Sequence, residues 1–334
     1  MTEQPNIGVV GLGKMGQIHA GNVAAHFQAR LHAVASTRPE VAQEVAEAYG
    51  ASRFYPDYPS LFADPDLDAV IIATACEDHP AHIIQAVEHG LHIFSEKPLG
   101  FTLEAIDQAL AAVEAAGVQL QVGFMRRFDP AYAAAKRQIE AGDIGRPMMI
   151  RANSRDPFWP GAQRQDGPGY NTLLLDLGVH GFDEARWLMG SEVSEVYTIG
   201  GALVYPKLGE LGDADNMIVS LKFANGAIGT LDFSRNARYG YDIRAEVLGD
   251  QGALQIGGLQ QTQLLNLRAE GITHDVYPWY PQRFAQAFET EMAAFIESLR
   301  AGRRPDPGPR DGRVATEIGL AAVESWRRGQ PVSL

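Results

Sequence analysis

Short apolar runs recur through the first third of the chain at Asn6–Val10, Leu31–Ala35, Asp68–Thr74, Leu91–Ser95 and Val118–Gly123. Their largely continuous apolar character predicts strands of a parallel sheet, buried on both faces. Between them the spacing predicts helices over Gln17–Phe27, Pro39–Tyr49, Pro80–Glu88 and Thr102–Ala116. Pro39 suits a first helical turn, Thr102 an N-cap, and Gly90 and Gly117 C-terminal stops. Strand and helix alternate throughout, so residues 1–124 read as an α/β domain with a doubly wound parallel sheet.

Beyond Phe124 the periodicity changes. Pro130–Ala141 and Leu173–Met189 read as helices, whereas Val193–Val204, Asn216–Phe223, Ala227–Phe233, Tyr241–Leu248 and Ala253–Ile256 alternate or carry hairpin breaks. Asn225-Gly226 is a strong turn signal between two of these runs. Residues 125–334 therefore read as an α+β domain with a large, mostly antiparallel sheet. Phe284–Leu299 and Val314–Arg327 supply closing helices that could also pack back on the first domain. The segment Asp156–Tyr170, rich in Pro, Gly, Gln and aromatic residues, reads as a loop.

Length agrees with two domains, since 334 residues exceed one ordinary core. A net charge of -13 and the lack of a continuous basic patch argue against nucleic-acid or anionic-membrane partners. One cysteine, Cys76, excludes an internal disulfide and fits a reducing cytoplasm. Residues Met1–Asn6 lack the order of a signal peptide, and no apolar run approaches the roughly 18 residues of a membrane span.

Candidate chemistry begins at Gly11-Leu12-Gly13-Lys14-Met15-Gly16, which follows the first strand and opens a helix. In a Rossmann domain Gly11 permits the tight turn, Gly13 lets the backbone approach a pyrophosphate, and Gly16 lets helix and strand pack closely. The helix N-terminus then offers unpaired N–H groups to the phosphates. Where an NAD-specific site places an acidic residue at the end of the second strand, this chain has Ser36-Thr37-Arg38. Two hydroxyls and a guanidinium suit the 2′-phosphate of NADP; alternatively Arg38 stacks on adenine or faces solvent while NAD binds. Thr74 and Ala75, after the third strand, are placed at the cofactor cleft. Two further features are Glu96-Lys97-Pro98 and Asp176-x-x-x-His180, the latter one turn apart on a predicted helix. Taken alone, the Asp176/His180 pair is more often structural and Lys97 more often solvated.

These motifs, together with Gly123-Phe124-Met125-Arg126-Arg127-Phe128-Asp129-Pro130, Tyr239-Gly240-Tyr241-Asp242 and the ending Gly329-Gln330-Pro331-Val332, resemble the Gfo/Idh/MocA oxidoreductases, and among them the inositol dehydrogenase branch. The resemblance spans essentially the whole chain. It implies that Lys97 lies beside the nicotinamide at the domain interface, after Glu96 and before a cis Pro98 bond, with His79 near the nicotinamide ribose. It further implies that Asp176 and His180 come to the same point. His180 would accept the alcohol proton while Lys97 and Asp176 orient and polarise the hydroxyl. Arg127, Asn153, Arg155 and Tyr241 are the remaining substrate-binding candidates.

The expected activity is NAD- or NADP-dependent oxidation of a secondary hydroxyl on a cyclic polyol, with myo- or scyllo-inositol first. Aldose oxidation or NADPH-dependent keto-sugar reduction are the alternatives on the same chemistry, and a non-catalytic NAD(P)-binding sensor is the rival from another class. Metal chemistry through His180, Asp183 and Glu184, or through His79 and His82, lacks a complete ligand set. An antiparallel sheet with one face uncovered suggests a homodimer or homotetramer, as in relatives.

Overall fold

The computed structural model describes residues 4–158 and 173–334. It divides into two compact units: Met1–Phe128 with Gln286–Thr316, and Asp129–Ala285 with Glu317–Leu334. Most of the loop expected over Asp156–Tyr170, from residue 159 on, lies outside the described residues.

In the first unit, strands β1 (Asn6–Val10), β2 (Arg30–Ala35), β3 (Arg53–Tyr55), β4 (Ala69–Ile72), β5 (His92–Ser95) and β6 (Leu120–Val122) form one sheet in the order β3-β2-β1-β4-β5-β6. Every pairing is parallel, for example Ile7 with Leu31 and Val9 with Ile71. This is the Rossmann order, with its topological switch between β1 and β4. Helices α1 (Lys14–Ala25), α2 (Pro39–Tyr49), α3 (Tyr58–Phe62), α4 (His79–Glu88) and α5 (Leu103–Ala116) connect the strands. Thr102 caps α5 by accepting from the Ala105 amide, and Gly117 ends it in the left-handed region, as the sequence indicates.

Two short elements escape the periodicity. Both β3 and α3 are shorter than the window over which a hydrophobic period can be read. Asp57 caps α3 by accepting from the Ser60 amide.

The second unit carries β7 (Pro147–Arg155), β8 (Val193–Gly201), β9 (Asn216–Phe223), β10 (Ile228–Ser234), β11 (Asp242–Gly249), β12 (Ala253–Ile256) and β15 (Val332–Ser333) in one sheet, ordered β12-β11-β7-β10-β9-β8-β15. Only β7 with β10 is parallel; the other pairings are antiparallel. The β9–β10 hairpin turns at Asn225-Gly226, with Gly226 at φ 85° and the Asn225 side chain accepting from the Ala227 amide. A separate ribbon, β13 (Gln260–Arg268) with β14 (Gly271–Val276), is exposed along nearly all its length. Helices α6 (Pro130–Ala141), α7 (Gly178–Met189), α8 (Pro206–Glu210) and α9 (Tyr280–Arg283) belong to this unit.

One helix boundary differs from the sequence expectation. The helix over Leu173–Met189 begins as a π-helical turn at Leu173–Leu177 and becomes α-helical only at Gly178. Asp176 and His180 therefore do not stand one regular α-turn apart. Helix α10 (Ala285–Ala301) contributes Met292, Phe295, Ile296 and Leu299 to the core formed by Ile7, Val9, Val34, Ile71 and Phe94. Its apolar stripe is claimed by the first unit, so residues 286–316 return there. The last helix, α11 (Pro309–Arg328), has its first turns in that same segment. Among the described residues no helix is long and apolar enough to cross a membrane.

Candidate active site

In the first unit the glycine turn between β1 and α1 is shaped by backbone contacts. Gly11 sits at φ 85°, and a Cβ there would lie 2.5 Å from the Ala73 carbonyl oxygen at the end of β4. A Cβ on Gly16 would lie 1.9 Å from the Gly11 carbonyl oxygen, so α1 approaches the turn as only glycine allows. Gly13 differs, since a Cβ there would meet nothing within 4 Å. Gly13 is also the N-cap of α1, without a side-chain cap and without an acidic residue in the first turn. A helix N-terminus without a side-chain cap or an acidic first turn presents its dipole to an anion, and the residues fit a dinucleotide pyrophosphate. Lys14 and Met15 occupy the first positions of α1 on its accessible side.

At the end of β2, Ser36 is buried and its hydroxyl accepts from the Arg38 amide at 3.1 Å. Thr37 and Arg38 are exposed, and Thr37 hydrogen-bonds Tyr58. The Arg38 guanidinium makes no ion pair with the described residues.

At the end of β4, Thr74 bonds His82 Nδ1 through Oγ1 at 2.9 Å. His79 is fully buried, with Nδ1 2.7 Å from the Pro98 carbonyl oxygen and Nε2 3.3 Å from that of Thr74. Burial outweighs these bonds and holds its imidazole below the ordinary histidine range, so the ring is neutral and donates to the nearer carbonyl. His79 thus anchors the chain just after Lys97.

Lys97 is half-buried, and the Lys97–Pro98 bond is cis, as the resemblance implies. Glu96 is turned into the protein. It is buried, and its Oε1 accepts from His19 Nε2 at 2.7 Å while Oε2 accepts from the Lys97 amide at 3.2 Å. Burial alone would raise this carboxyl; the hydrogen bond and charge of His19, with the charge of Lys97, hold it below the usual carboxylate value. Glu96 is therefore an internal anion. Arg127 places its guanidinium between Asp306 at 2.8 Å and Asp311 at 2.9 Å, so both arms of the fork are already engaged.

In the second unit, His180 is buried on α7, and Asp176 is half-buried on the π-helical turn, 3.6 Å from the Arg235 guanidinium. The helix lies on β10 through Gly181, where a Cβ would come 3.0 Å from the Phe233 ring, and through Phe182, whose ring meets Phe233 at 5.7 Å. Asn153 donates to the Asp242 carbonyl oxygen at 2.9 Å. Arg155 grips Asp232 with two nitrogens and reaches Tyr239 at 3.1 Å. Tyr239 in turn donates to Asp242 at 2.8 Å, and Arg244 completes the network on the same carboxylate. These are sheet-bracing roles. Tyr241 is buried against Phe284.

Of the metal-capable side chains among the described residues, His32, Asp64 and Asp66 form the close-set group, and Arg53 binds both of its carboxylates at 2.7 Å. Sequence reasoning did not single out His19 or Glu291, the buried partners behind Lys97. Their only sequence signal is a place on the apolar stripe of a helix, which for a polar residue is easily passed over.

A parallel sheet in this order, with an uncapped glycine turn at its switch point, defines the first unit as a dinucleotide-binding domain. Residues 5–124 match the NAD-binding Rossmann fold of an oxidoreductase family, and residues 136–334 match the C-terminal alpha/beta domain of the same family. The chain is 39% identical to the scyllo-inositol 2-dehydrogenase (NAD(+)) of Bacillus subtilis, across 100% of this chain and 97% of that enzyme. It is 35% identical to the myo-inositol 2-dehydrogenase of Thermotoga maritima, over 98% of each. Among solved structures, the scyllo-inositol dehydrogenase of Lactobacillus casei with bound NAD(H) and scyllo-inositol superposes with a TM-score of 0.92 at 31% identity, over 99% of each chain. The chain belongs to the Gfo/Idh/MocA family of oxidoreductases.

Proposed function

We propose that this protein is an NAD-dependent dehydrogenase that oxidises a secondary hydroxyl of myo- or scyllo-inositol to the ketone. The observation that carries the reading is the whole-length similarity to enzymes named for this activity. The glycine cradle supports it, because Gly11 and Gly16 bring the turn and the helix start close together and no side chain caps the N-terminus of α1, where a pyrophosphate would bind. When bound, NAD supplies the hydride acceptor. His180 accepts the proton of the substrate hydroxyl, a task suited to an imidazole. Lys97 favours the developing alkoxide by its charge, and Asp176 orients the hydroxyl. The engaged guanidinium of Arg127 and the sheet network around Asn153 and Arg155 support leaving these three out of substrate binding.

The test is initial-rate absorbance of the reduced nicotinamide with both inositols and a set of aldoses. Lys97→Ala and His180→Ala are expected to lower kcat by about 10²- to 10⁴-fold while binding of the reduced cofactor survives. Full turnover in both variants would sink the mechanism, and turnover of aldoses alone would move the substrate class.

A second reading concerns cofactor choice. With no carboxylate at Ser36-Thr37-Arg38 and the Arg38 guanidinium exposed, NADP is accepted beside NAD. Arg38→Ala is expected to lower kcat/KM with NADP more than with NAD; equal effects on both would remove Arg38 from that role.

A further inference from the structure

Behind Lys97 lies a set of buried ionisable groups that the reaction as read above does not use. His19, on the inner side of α1, is fully buried, with the Phe94 and Phe288 rings packed edge-on at 5.0 and 6.2 Å. Its Nε2 meets Glu96 Oε1 at 2.7 Å. A carboxylate only accepts, so the imidazole carries its proton on Nε2. Glu96 Oε2 accepts from the Lys97 amide, and a Cβ on Gly123 would stand 3.1 Å from that oxygen, so β6 closes over it with bare backbone.

From α10, Glu291 completes the set. It is fully buried, and neither carboxyl oxygen has a hydrogen-bond partner among the described residues. Its backbone carbonyl accepts from Gln121 at 3.3 Å. Burial and the charge of Glu96 push its carboxyl well above the ordinary range. The ionisable groups about Glu96 are thus His19 from α1, His79 from α4, Lys97 itself and Glu291 from α10. With Glu291 neutral, Glu96 carries the cluster's negative charge.

We infer that the His19–Glu96 pair is the positioning device for Lys97: the imidazole locks one carboxylate oxygen so that the other fixes the Lys97 peptide and the charge opposes the Lys97 ammonium. A buried, hydrogen-bonded anion is held without reorganisation, and a low-dielectric surrounding strengthens its field. This inference rests on the reading of Lys97 as a reacting group.

Four variants of the full chain test it: Glu96→Gln, His19→Ala, His19→Gln and Lys97→Ala. Glu96→Gln keeps the shape and removes the charge. It is expected to lower kcat about 10- to 100-fold, to leave the affinity for reduced cofactor nearly unchanged, and to move the alkaline limb of the kcat profile to lower pH. His19→Ala should lower kcat similarly. His19→Gln, which restores a donor to Glu96, should recover most of the loss and also serves if the alanine variant does not fold. Folded Glu96→Gln and His19 variants with the parent kcat and alkaline limb, or with losses confined to melting temperature or cofactor affinity, would overturn the inference. If Lys97→Ala retains turnover, the reading of Lys97 fails and the inference with it. If Lys97→Ala is inactive while the pair variants behave as the parent, only the inference fails.

Discussion

The two sheets of this protein solve the burial problem differently. In the parallel sheet, Val9, Val34, Ile71 and Phe94 are inaccessible, and successive residues along β4 are buried without alternation. In the mixed sheet, β9 alternates: Met217, Val219, Leu221 and Phe223 are buried, while Ile218, Ser220 and Lys222 are exposed. Ile199 and Ile228 on the outer face are 51% and 53% exposed. A sheet with helices on both faces keeps water from every side chain, whereas a sheet covered on one face can present half of its side chains outward. Ionisable groups follow the same division. Behind the parallel sheet a carboxyl, Glu291, stays neutral for want of a partner, while on the mixed sheet Asp242 is buried yet held below the usual range by Arg244, Asn153 and Tyr239 acting against the burial that would raise it.

The contrast can be broken at its strongest point. Ile71→Asp places a carboxyl between two covered faces and is expected to cost about 4–5 kcal/mol, a large part of a domain's stability, read as loss of the cooperative thermal transition of the first unit. A stable, native-like Ile71→Asp would show that the parallel sheet is less sealed than described. Gly16→Ala comes next. Its Cβ has no room beside the Gly11 carbonyl, so about 1–3 kcal/mol of stability and most of the reduced-cofactor fluorescence binding should be lost.

Glu291→Gln sharpens the electrostatic half of the comparison. In the folded protein Glu291 holds its proton above the ordinary value of 4.5, so its contribution to stability is complete below that pH and declines as pH rises. Glu96 has the opposite sign: held below 4.5 when folded, it contributes above that value and the contribution is lost as pH falls. Urea unfolding across pH should therefore show Glu291→Gln with a flatter decline above 4.5, and an unchanged slope would mean that Glu291 ionises inside the fold without cost. The smallest effect is expected on the open face, where Ile218→Ser should change stability by no more than about 0.5 kcal/mol. A larger loss with concentration-dependent melting would mean that this face is covered by a second copy of the chain.

Much of this was legible in the chain itself, for reasons that differ by element. Pro39–Tyr49, Pro130–Ala141 and Asn216–Phe223 have the expected limits because Pro at a helix start, Gly after its end and a strict period of two are local signals. Strand β7 was not, although it lies inside the mixed sheet between β10 and β11. Its run Pro147–Arg155 mixes methionine, arginine and asparagine, and only neighbours on both sides make it a strand. The helix ending in Met189 was recognised, but its π-helical start was not, since an extra residue in one turn leaves no mark in a hydrophobic period.

The sequence by itself determined the alternation of strand and helix, the glycine turn, the cis bond expected before Pro98 and the residues proposed to carry the chemistry, because each depends on neighbours a few positions away or on a family's motif. Only the tertiary structure decided that α10 serves the first core, that Arg127 and Arg155 are engaged by aspartates, and that His19, Glu96 and Glu291 are buried near one another. Those outcomes join residues far apart in the chain, 195 positions for Glu96 and Glu291, and what fixes them is burial, which depends on everything that surrounds a group in space.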